Sequence, residues 1–124
     1  MGFTVLVVDD SSVMRKIISK NLRQAGVKID HLLEAGDGQE GLEQLEKWQC
    51  DIILSDINMP NMDGLEFVKE IRKKRQLDQC KIIMITTESG TDIMEEVMNA
   101  GANGYVVKPF SPDQILDKIN RAIR

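Results

Sequence analysis

The sequence has little cysteine and little histidine, and each shortage excludes a class of site. Cys50 and Cys80 are the two cysteines among 124 residues, and their spacing fits neither a metal site nor a CxxC motif. We expect free thiols, as is usual in the cytoplasm, rather than a disulfide framework. The single histidine, His31, has no second nitrogen or nearby thiolate to share a metal with, so we expect it to be a loop residue. A catalytic site based on histidine would have to use this one residue, which argues against a triad-type hydrolase.

Long apolar runs and an excess of basic residues are also missing. No run approaches the roughly 20 residues of a membrane helix, and a strand-like run begins almost at once, so no secretory signal is visible. The formal net charge is -4, which argues against nucleic acid or an anionic membrane as the main partner. The composition, 42% hydrophobic and 29% charged, is ordinary for a globular protein. We expect one cytoplasmic domain over residues 1–124.

What the sequence does contain is a regular alternation of two apolar patterns. Short β-branched runs predict strands at residues 3–8, 31–35, 52–55, 82–85 and 105–107. Stretches with helical spacing lie between them, and pairs such as Asp37 with Glu40 and Asp63 with Glu66 are typical of helix starts. Units of about 25 residues leave room for the crossovers that parallel strands need. The pattern predicts an α/β protein, a doubly wound five-stranded parallel sheet with five helices.

Polar residues follow four of the predicted strands. Asp9 and Asp10 come directly after the first strand, Asp56 after the third, Thr86 after the fourth and Lys108 after the fifth. The carboxyl ends of parallel strands lie at one edge of the sheet, where open α/β sheets bind their ligands. We therefore predict that three carboxylates, a hydroxyl and an ammonium group meet at this edge.

Carboxylates crowded together resist ionisation, and a hard divalent cation removes that conflict. Mg²⁺ prefers octahedral oxygen ligands and commonly uses one or two carboxylates plus phosphate oxygens. Lys108 would then be a second positive charge facing a bound anion. In the simpler alternative each acid only caps the following helix and Lys108 is a salt-bridge partner. That alternative suits any one residue, but it accounts poorly for all five at four strand ends.

Several short motifs surround these positions. They are Val-Val-Asp-Asp at 7–10, Asp-Ile-Asn-Met-Pro at 56–60, Met-Asp-Gly at 62–64, Thr86, Gly-Ala at 101–102 with Gly104, and Lys-Pro-Phe at 108–110. Through these motifs the chain resembles the receiver domain of two-component response regulators, and within that family the single-domain chemotaxis regulators. The resemblance implies a flavodoxin-like sheet in the order 2-1-3-4-5 and a cis peptide bond before Pro109.

The resemblance assigns a role to each charged residue of the predicted edge. Asp56 would be the phosphoacceptor, attacking the phosphorus of a histidine kinase's phosphohistidine. Asp10 and Asp56 would bind Mg²⁺ directly, Asp9 would reach it through water, and Asn58 would contribute its backbone carbonyl. Lys108 would bind a phosphoryl oxygen.

The resemblance also implies how the signal would be transmitted. The hydroxyl of Thr86 would shift towards the phosphoryl group, and Tyr105 would turn inward into the space that it leaves. The alternative for Tyr105 is an edge tyrosine with no switching role. Asn58 and Glu88, each two residues after a key position, match side chains that tune the lifetime of the phosphoryl group. The expected partners are a histidine kinase and a target such as a flagellar switch protein, and a phosphatase is a further candidate.

Two functions of other classes compete with this phosphorylation switch. Metal-dependent phosphatases with an aspartate nucleophile typically carry a second acid two residues later, where this sequence has Asn58. A flavodoxin-like cofactor carrier would need a phosphate-binding loop after the first strand, where residues 9–12 instead begin with two acids. A switch would not be an enzyme in the usual sense, because it catalyses only its own phosphorylation and dephosphorylation. A phosphorelay intermediate, or a receiver cut from a longer regulator, stays open.

Overall fold

The computed structural model describes residues 2–87 and 90–123, in which strands and helices alternate along the chain. The strands are β1 (Phe3–Val8), β2 (Ile29–Ala35), β3 (Ile52–Ser55), β4 (Lys81–Thr86) and β5 (Gly104–Val107). The helices are α1 (Ser12–Gln24), α2 (Gly38–Lys47), α3 (Gly64–Arg72), α4 (Thr91–Ala100) and α5 (Pro112–Ile123). A short 3-10 helix (Arg75–Leu77), which the sequence did not predict, lies between α3 and β4.

The strands form one sheet in the order β2-β1-β3-β4-β5, and every neighbouring pair is parallel. Helices α1 and α5 cover one face, where they bury Ile18, Leu22, Ile115 and Ile119. Helices α2, α3 and α4 cover the other face. The predicted doubly wound α/β fold is therefore confirmed. No described helix combines the length and the hydrophobicity that a bilayer crossing requires.

The three central strands are buried on both faces. Residues 5–8, 52–55 and 82–86 are all buried, which explains why they form almost unbroken apolar runs in the sequence. At the edge of the sheet, β2 starts at Ile29, before the predicted position, because it pairs with β1 from Phe3 onward. His31, the first residue of the predicted strand, is therefore an internal residue of β2, and the expectation that it lies in a loop is wrong. Its exposed ring is tilted against Trp48, with 4.7 Å between the ring centroids.

The predicted helix starts are confirmed, but some predicted apolar positions are not buried. Asp37 and Asp63 accept hydrogen bonds from the Glu40 and Glu66 amides, as helix caps do. The helical spacing that predicts α4 also predicts a buried Met98, but this residue is 39% exposed, because other residues of α4 cover the sheet. Helical spacing likewise predicts burial for residues at helix margins and ends that are in fact exposed, namely Ile17, Trp48 and Ile123.

Candidate functional site

Three carboxylates meet at the carboxyl edge of the sheet. One oxygen from each of Asp9, Asp10 and Asp56 lies within 4.8 Å of the others. The backbones of two of them are held by hydrogen bonds that continue the sheet, from Asp56 N–H to the Val8 carbonyl (2.9 Å) and from Asp9 N–H to the Ala35 carbonyl (3.1 Å). The predicted convergence of these acids therefore results from strand pairing.

Lys108 places its ammonium group between two of the acids. Its Nζ atom lies 3.1 Å from Asp9 Oδ2 and 3.3 Å from Asp56 Oδ2. The Lys108 amide donates to the Thr86 carbonyl at 2.7 Å, which fixes the backbone where β5 ends. The bond between Lys108 and Pro109 is cis, as expected. The lysine thus reaches the acids across the edge from β5.

Asp9 is the most deeply buried of the acids, with 2% of the residue exposed. Its Oδ1 accepts the Ser11 amide at 2.9 Å, and its Oδ2 faces Lys108. The guanidinium of Arg15 donates to the Asp9 carbonyl at 2.6 Å and pairs with Glu34 at 2.9 Å. Arg15 could not be identified from the sequence, because a basic residue on a helix carries no local sign of this contact.

The electrostatics of Asp56 reflect competing effects. Burial raises the pKa of its carboxyl group above the ordinary range, and the nearby Asp9 raises it further. The ammonium of Lys108 and a hydrogen bond of 2.7 Å from the Ile57 amide to Oδ1 oppose the rise in pKa. The net direction is upward, so Asp56 gains from any further positive charge at this edge.

The donor set fits a hard divalent cation. The carboxylates of Asp9, Asp10 and Asp56 are oxygen ligands of the type that Mg²⁺ prefers. Asp10 is exposed, so the site opens to solvent and leaves positions for water. Three ionised carboxylates and the Lys108 ammonium group together carry a formal charge of -2, which a divalent ion would neutralise. Asn58 lies two residues beyond Asp56 on the loop between β3 and α3.

The two predicted switch residues lie on neighbouring strands. Thr86 ends β4 and is fully buried. Tyr105 pairs with Met84 in the β4–β5 register, and its residue is 38% exposed at the surface. The ammonium of Lys118 lies 5.9 Å from the centre of the Tyr105 ring, within range of a cation–π contact. The other predicted lifetime residue, Glu88, falls outside the residues that the structure describes.

Comparison with known proteins shows similarity along nearly the whole chain. The family model of the response regulator receiver domain matches residues 5–120. A chemotaxis protein CheY homolog of Campylobacter jejuni is 42% identical over 116 residues, which are 93% of this chain and 88% of that protein. The chemotaxis response regulator CheY4 of Vibrio cholerae superimposes with a TM-score of 0.86 at 39% identity, covering 98% of this chain and 99% of that one. The receiver domain of the sensor histidine kinase PA1611 from Pseudomonas aeruginosa, solved with a magnesium ion in its active site cleft, gives a TM-score of 0.85 at 28% identity over 99% of this chain and 98% of that one.

Proposed function

The chain belongs to the response regulator receiver domain family, and on this premise we propose that it is a phosphorylation-activated signalling switch, in which residues 1–124 form one receiver domain. A carboxylate of Asp56 attacks the phosphorus of a histidine kinase's phosphohistidine. The new bond joins an Asp56 oxygen to phosphorus, the phosphorus–nitrogen bond breaks, and its electron pair stays on the imidazole. The observation that supports this role is the position of Asp56, whose largely buried carboxylate shares the ammonium group of Lys108 with a second acid, Asp9.

The neighbouring acids would hold Mg²⁺ for this transfer. Asp10 and Asp56 would bind the ion directly, Asp9 through water, and Asn58 through its backbone carbonyl. When bound, the ion would neutralise negative charge on the phosphoryl oxygens. The oxygen donors of this chain suit that ion, and the PA1611 receiver carries magnesium in its cleft. Mg²⁺ is therefore the cofactor that we propose.

Lys108 would change partners during the reaction. It lies within 3.3 Å of an Asp56 oxygen before transfer, so its ammonium needs little movement to meet a phosphoryl oxygen attached to the same carboxylate. Phosphoryl transfer depends mainly on such positioning and on neutralising the charge of the equatorial oxygens. Lys108 supplies part of that neutralisation from the β5 side of the edge.

The added phosphoryl group would trigger the switch. It brings a charge of about -1.5 to -2 and new acceptor oxygens to the end of β3. Thr86 would turn its hydroxyl to this group, and Tyr105 would move from its exposed position into the space that is left. One or two charge-assisted hydrogen bonds, worth about 1.5–3 kcal/mol each, supply about 1.5–6 kcal/mol, which reaches the roughly 5.5 kcal/mol of a complete shift only at its upper limit. Binding of the target protein would complete it.

The partners that we propose are a histidine kinase as phosphodonor and a flagellar switch protein as target. The chemotaxis role is supported by the relatives, since a CheY homolog of Campylobacter jejuni is 42% identical and covers 93% of this chain. A target that binds the phosphorylated protein more tightly than the unphosphorylated one would support the flagellar role. Equal affinity for the two forms would contradict it and favour an intermediate of a phosphorelay.

Treatment with acetyl phosphate and Mg²⁺, followed by intact-protein mass spectrometry, tests the central step. We expect one added phosphoryl group that disappears in Asp56→Asn and on removal of Mg²⁺ by EDTA. An unmodified wild-type protein, or equal modification of Asp56→Asn, would refute the proposal. Sustained release of phosphate from small phosphate monoesters would favour the phosphatase instead, because a switch that dephosphorylates itself turns over only activated donors such as acetyl phosphate.

A further inference from the structure

The loop that follows Asp56 is tied to the start of α2 by two hydrogen bonds. The side-chain Nδ2 of Asn61 donates to Asp37 Oδ2 at 2.7 Å, and the Gly38 amide donates to the Met62 carbonyl at 3.1 Å. The approach is so close that a Cβ atom on Gly38 would lie 3.0 Å from the Met62 carbonyl oxygen. The tip of the β3–α3 loop is therefore held against a different part of the chain.

The two carboxylate oxygens of Asp37 accept hydrogen bonds from different parts of the chain. Oδ1 caps α2 by accepting the Glu40 amide at 2.8 Å, and Oδ2 accepts the hydrogen bond from Asn61. The residue is 6% exposed, so these contacts are partly shielded from water. Its hydrogen bonds, first among them the one from Asn61, hold the pKa of the carboxyl below its ordinary range. The bond to Asn61 is therefore charge-assisted, a class that is stronger than a neutral hydrogen bond.

Asn61 sits at the turning point of the loop. Its φ angle is 64°, in the left-handed region that asparagine tolerates better than most side chains. The Met62 amide donates to the Pro60 carbonyl at 2.6 Å, which closes a tight turn around Asn61. Asn58 lies three residues earlier on the same loop, so a displaced tip would displace the Asn58 backbone.

We propose that Asp37 is a positioning residue for magnesium, which holds Asn61 and thereby fixes the Asn58 carbonyl in place for the ion. This inference rests on the proposed function, in which that carbonyl is a metal ligand. Asp37 does not touch the ion in this arrangement. Outer residues that orient a ligand typically change metal affinity by about 10–100-fold when they are replaced.

Two substitutions separate the contact with Asn61 from the helix cap. Asp37→Ser keeps a good capping oxygen but has no second oxygen for Asn61. Asn61→Gly keeps the left-handed backbone accessible but removes the amide side chain. We expect each to weaken Mg²⁺ binding about ten-fold by isothermal titration calorimetry, with the double variant no weaker than the weaker single one. Unchanged affinity in either single variant would overturn the proposal.

A charge effect alone would give a different result in a third variant. Asn61→Asp adds a negative charge near the metal site, so long-range electrostatics would tighten Mg²⁺ binding. It also sets two carboxylates against each other, which breaks the contact with Asp37, so we expect weaker binding than in the wild type. Tighter binding would overturn the positioning role.

The remaining controls separate this inference from general instability and from the proposed function. Ser111→Ala removes a cap of α5, where Ser111 Oγ accepts the Gln114 amide, without touching the loop. We expect it to leave Mg²⁺ affinity unchanged, and an equal loss of affinity would refute a specific role for Asp37.

A last variant separates this inference from the proposed function. Asp56→Asn should weaken Mg²⁺ binding if the proposed function holds. A wild-type protein without Mg²⁺ affinity refutes both proposals, whereas normal binding by the wild type and by Asp37→Ser refutes only this one.

Discussion

The ammonium of Lys108 lies 3.3 Å from Asp56 Oδ2, although 52 residues separate the two in the chain. The contact offsets only part of the cost of placing a carboxylate there, because burial still raises the pKa of Asp56. A charged group held at such a cost destabilises the metal-free fold. This cost fits the proposed role of the site in metal binding and phosphoryl transfer, which does not require the site to stabilise the fold.

The first prediction follows from this cost. Because the pKa of Asp56 is raised in the folded protein, the folded state holds its proton more tightly than the unfolded state does. Its contribution to stability therefore falls as pH rises from the ordinary carboxyl range through the raised value. We expect Asp56→Asn to be more stable than the wild type at pH 7 in EDTA, measured by urea denaturation.

Mg²⁺ should remove this difference, since at the proposed site the ion would bind the wild-type carboxylates in the folded state and stabilise that state. A lower denaturation midpoint for Asp56→Asn in EDTA would contradict the prediction.

The second prediction concerns Gly64, where α3 begins directly beneath the end of β3. A Cβ atom at this position would overlap the Asp56 carbonyl oxygen and lie 2.7 Å from the Ile57 Cα atom. We expect Gly64→Ala to cost about 1–3 kcal/mol of unfolding free energy and to lower the rate of phosphorylation, because the overlap displaces the Asp56 backbone. Gly90→Ala is the matched control, since a Cβ atom there meets nothing within 4 Å. Equal loss in the two variants would refute this explanation.

The third prediction concerns Arg72, the last residue of α3. Its guanidinium donates to the carbonyls of Gly101, Leu77 and Cys80 and to Asn103 Oδ1, at 2.8–3.0 Å. We expect Arg72→Ala to lower the unfolding free energy by about 2–4 kcal/mol, and Arg72→Lys to recover little, because one ammonium cannot reach four separate acceptors.

Urea denaturation measures this effect, and Arg121→Ala provides the comparison. Arg121 forms an exposed pair with Asp117 on α5, so its loss should change stability by less than about 1 kcal/mol. Mg²⁺ affinity should be unchanged in Arg72→Ala, since the contacts of Arg72 lie at the opposite end of β4 from the proposed metal site. Recovery of wild-type stability by Arg72→Lys would show that charge alone was needed.

The fourth prediction concerns the two buried cysteines. Burial raises the pKa of the Cys50 thiol to about 12, and it also raises the pKa of Cys80, whose thiol donates to the Cys50 carbonyl at 2.9 Å. Because the thiolate is the reactive form, the folded protein should react slowly with iodoacetamide from pH 7 to pH 9. Both thiols should react once urea unfolds the chain. Rapid modification of the folded protein would contradict this prediction.

The fifth prediction concerns the lifetime of the phosphoryl group. The match of Asn58 and Glu88 to lifetime-tuning positions of the chemotaxis regulators predicts fast self-dephosphorylation in Mg²⁺. A phosphoprotein that persists for hours without a phosphatase would contradict it. Asn58→Ala should change the decay rate but leave Mg²⁺ affinity unchanged, since the proposed metal contact uses the backbone carbonyl, which the substitution keeps.

Much of the site could be predicted because it depends on strand ends. The apolar runs before Asp9, Asp56 and Lys108 are local patterns, and parallel pairing then carries their ends to one edge. The helix caps were also predictable, since a cap and its target amide lie three residues apart. The exposure of apolar residues on the helices was less predictable. Met98 and Ile17 follow helical spacing, but spacing does not say how wide a stripe the sheet can cover.

The sequence by itself determined the alternation of strands and helices and the acids that follow the strands, because these depend on interactions between residues close in the chain. Only the tertiary structure decided that Asn61 binds the second oxygen of Asp37, 24 residues away, and that Arg72 reaches Asn103, 31 residues away. Such contacts depend on how the packed helices and loops are placed in three dimensions. No local pattern encodes that placement, because many pairs of the same residue types are separated by a similar number of residues in the chain.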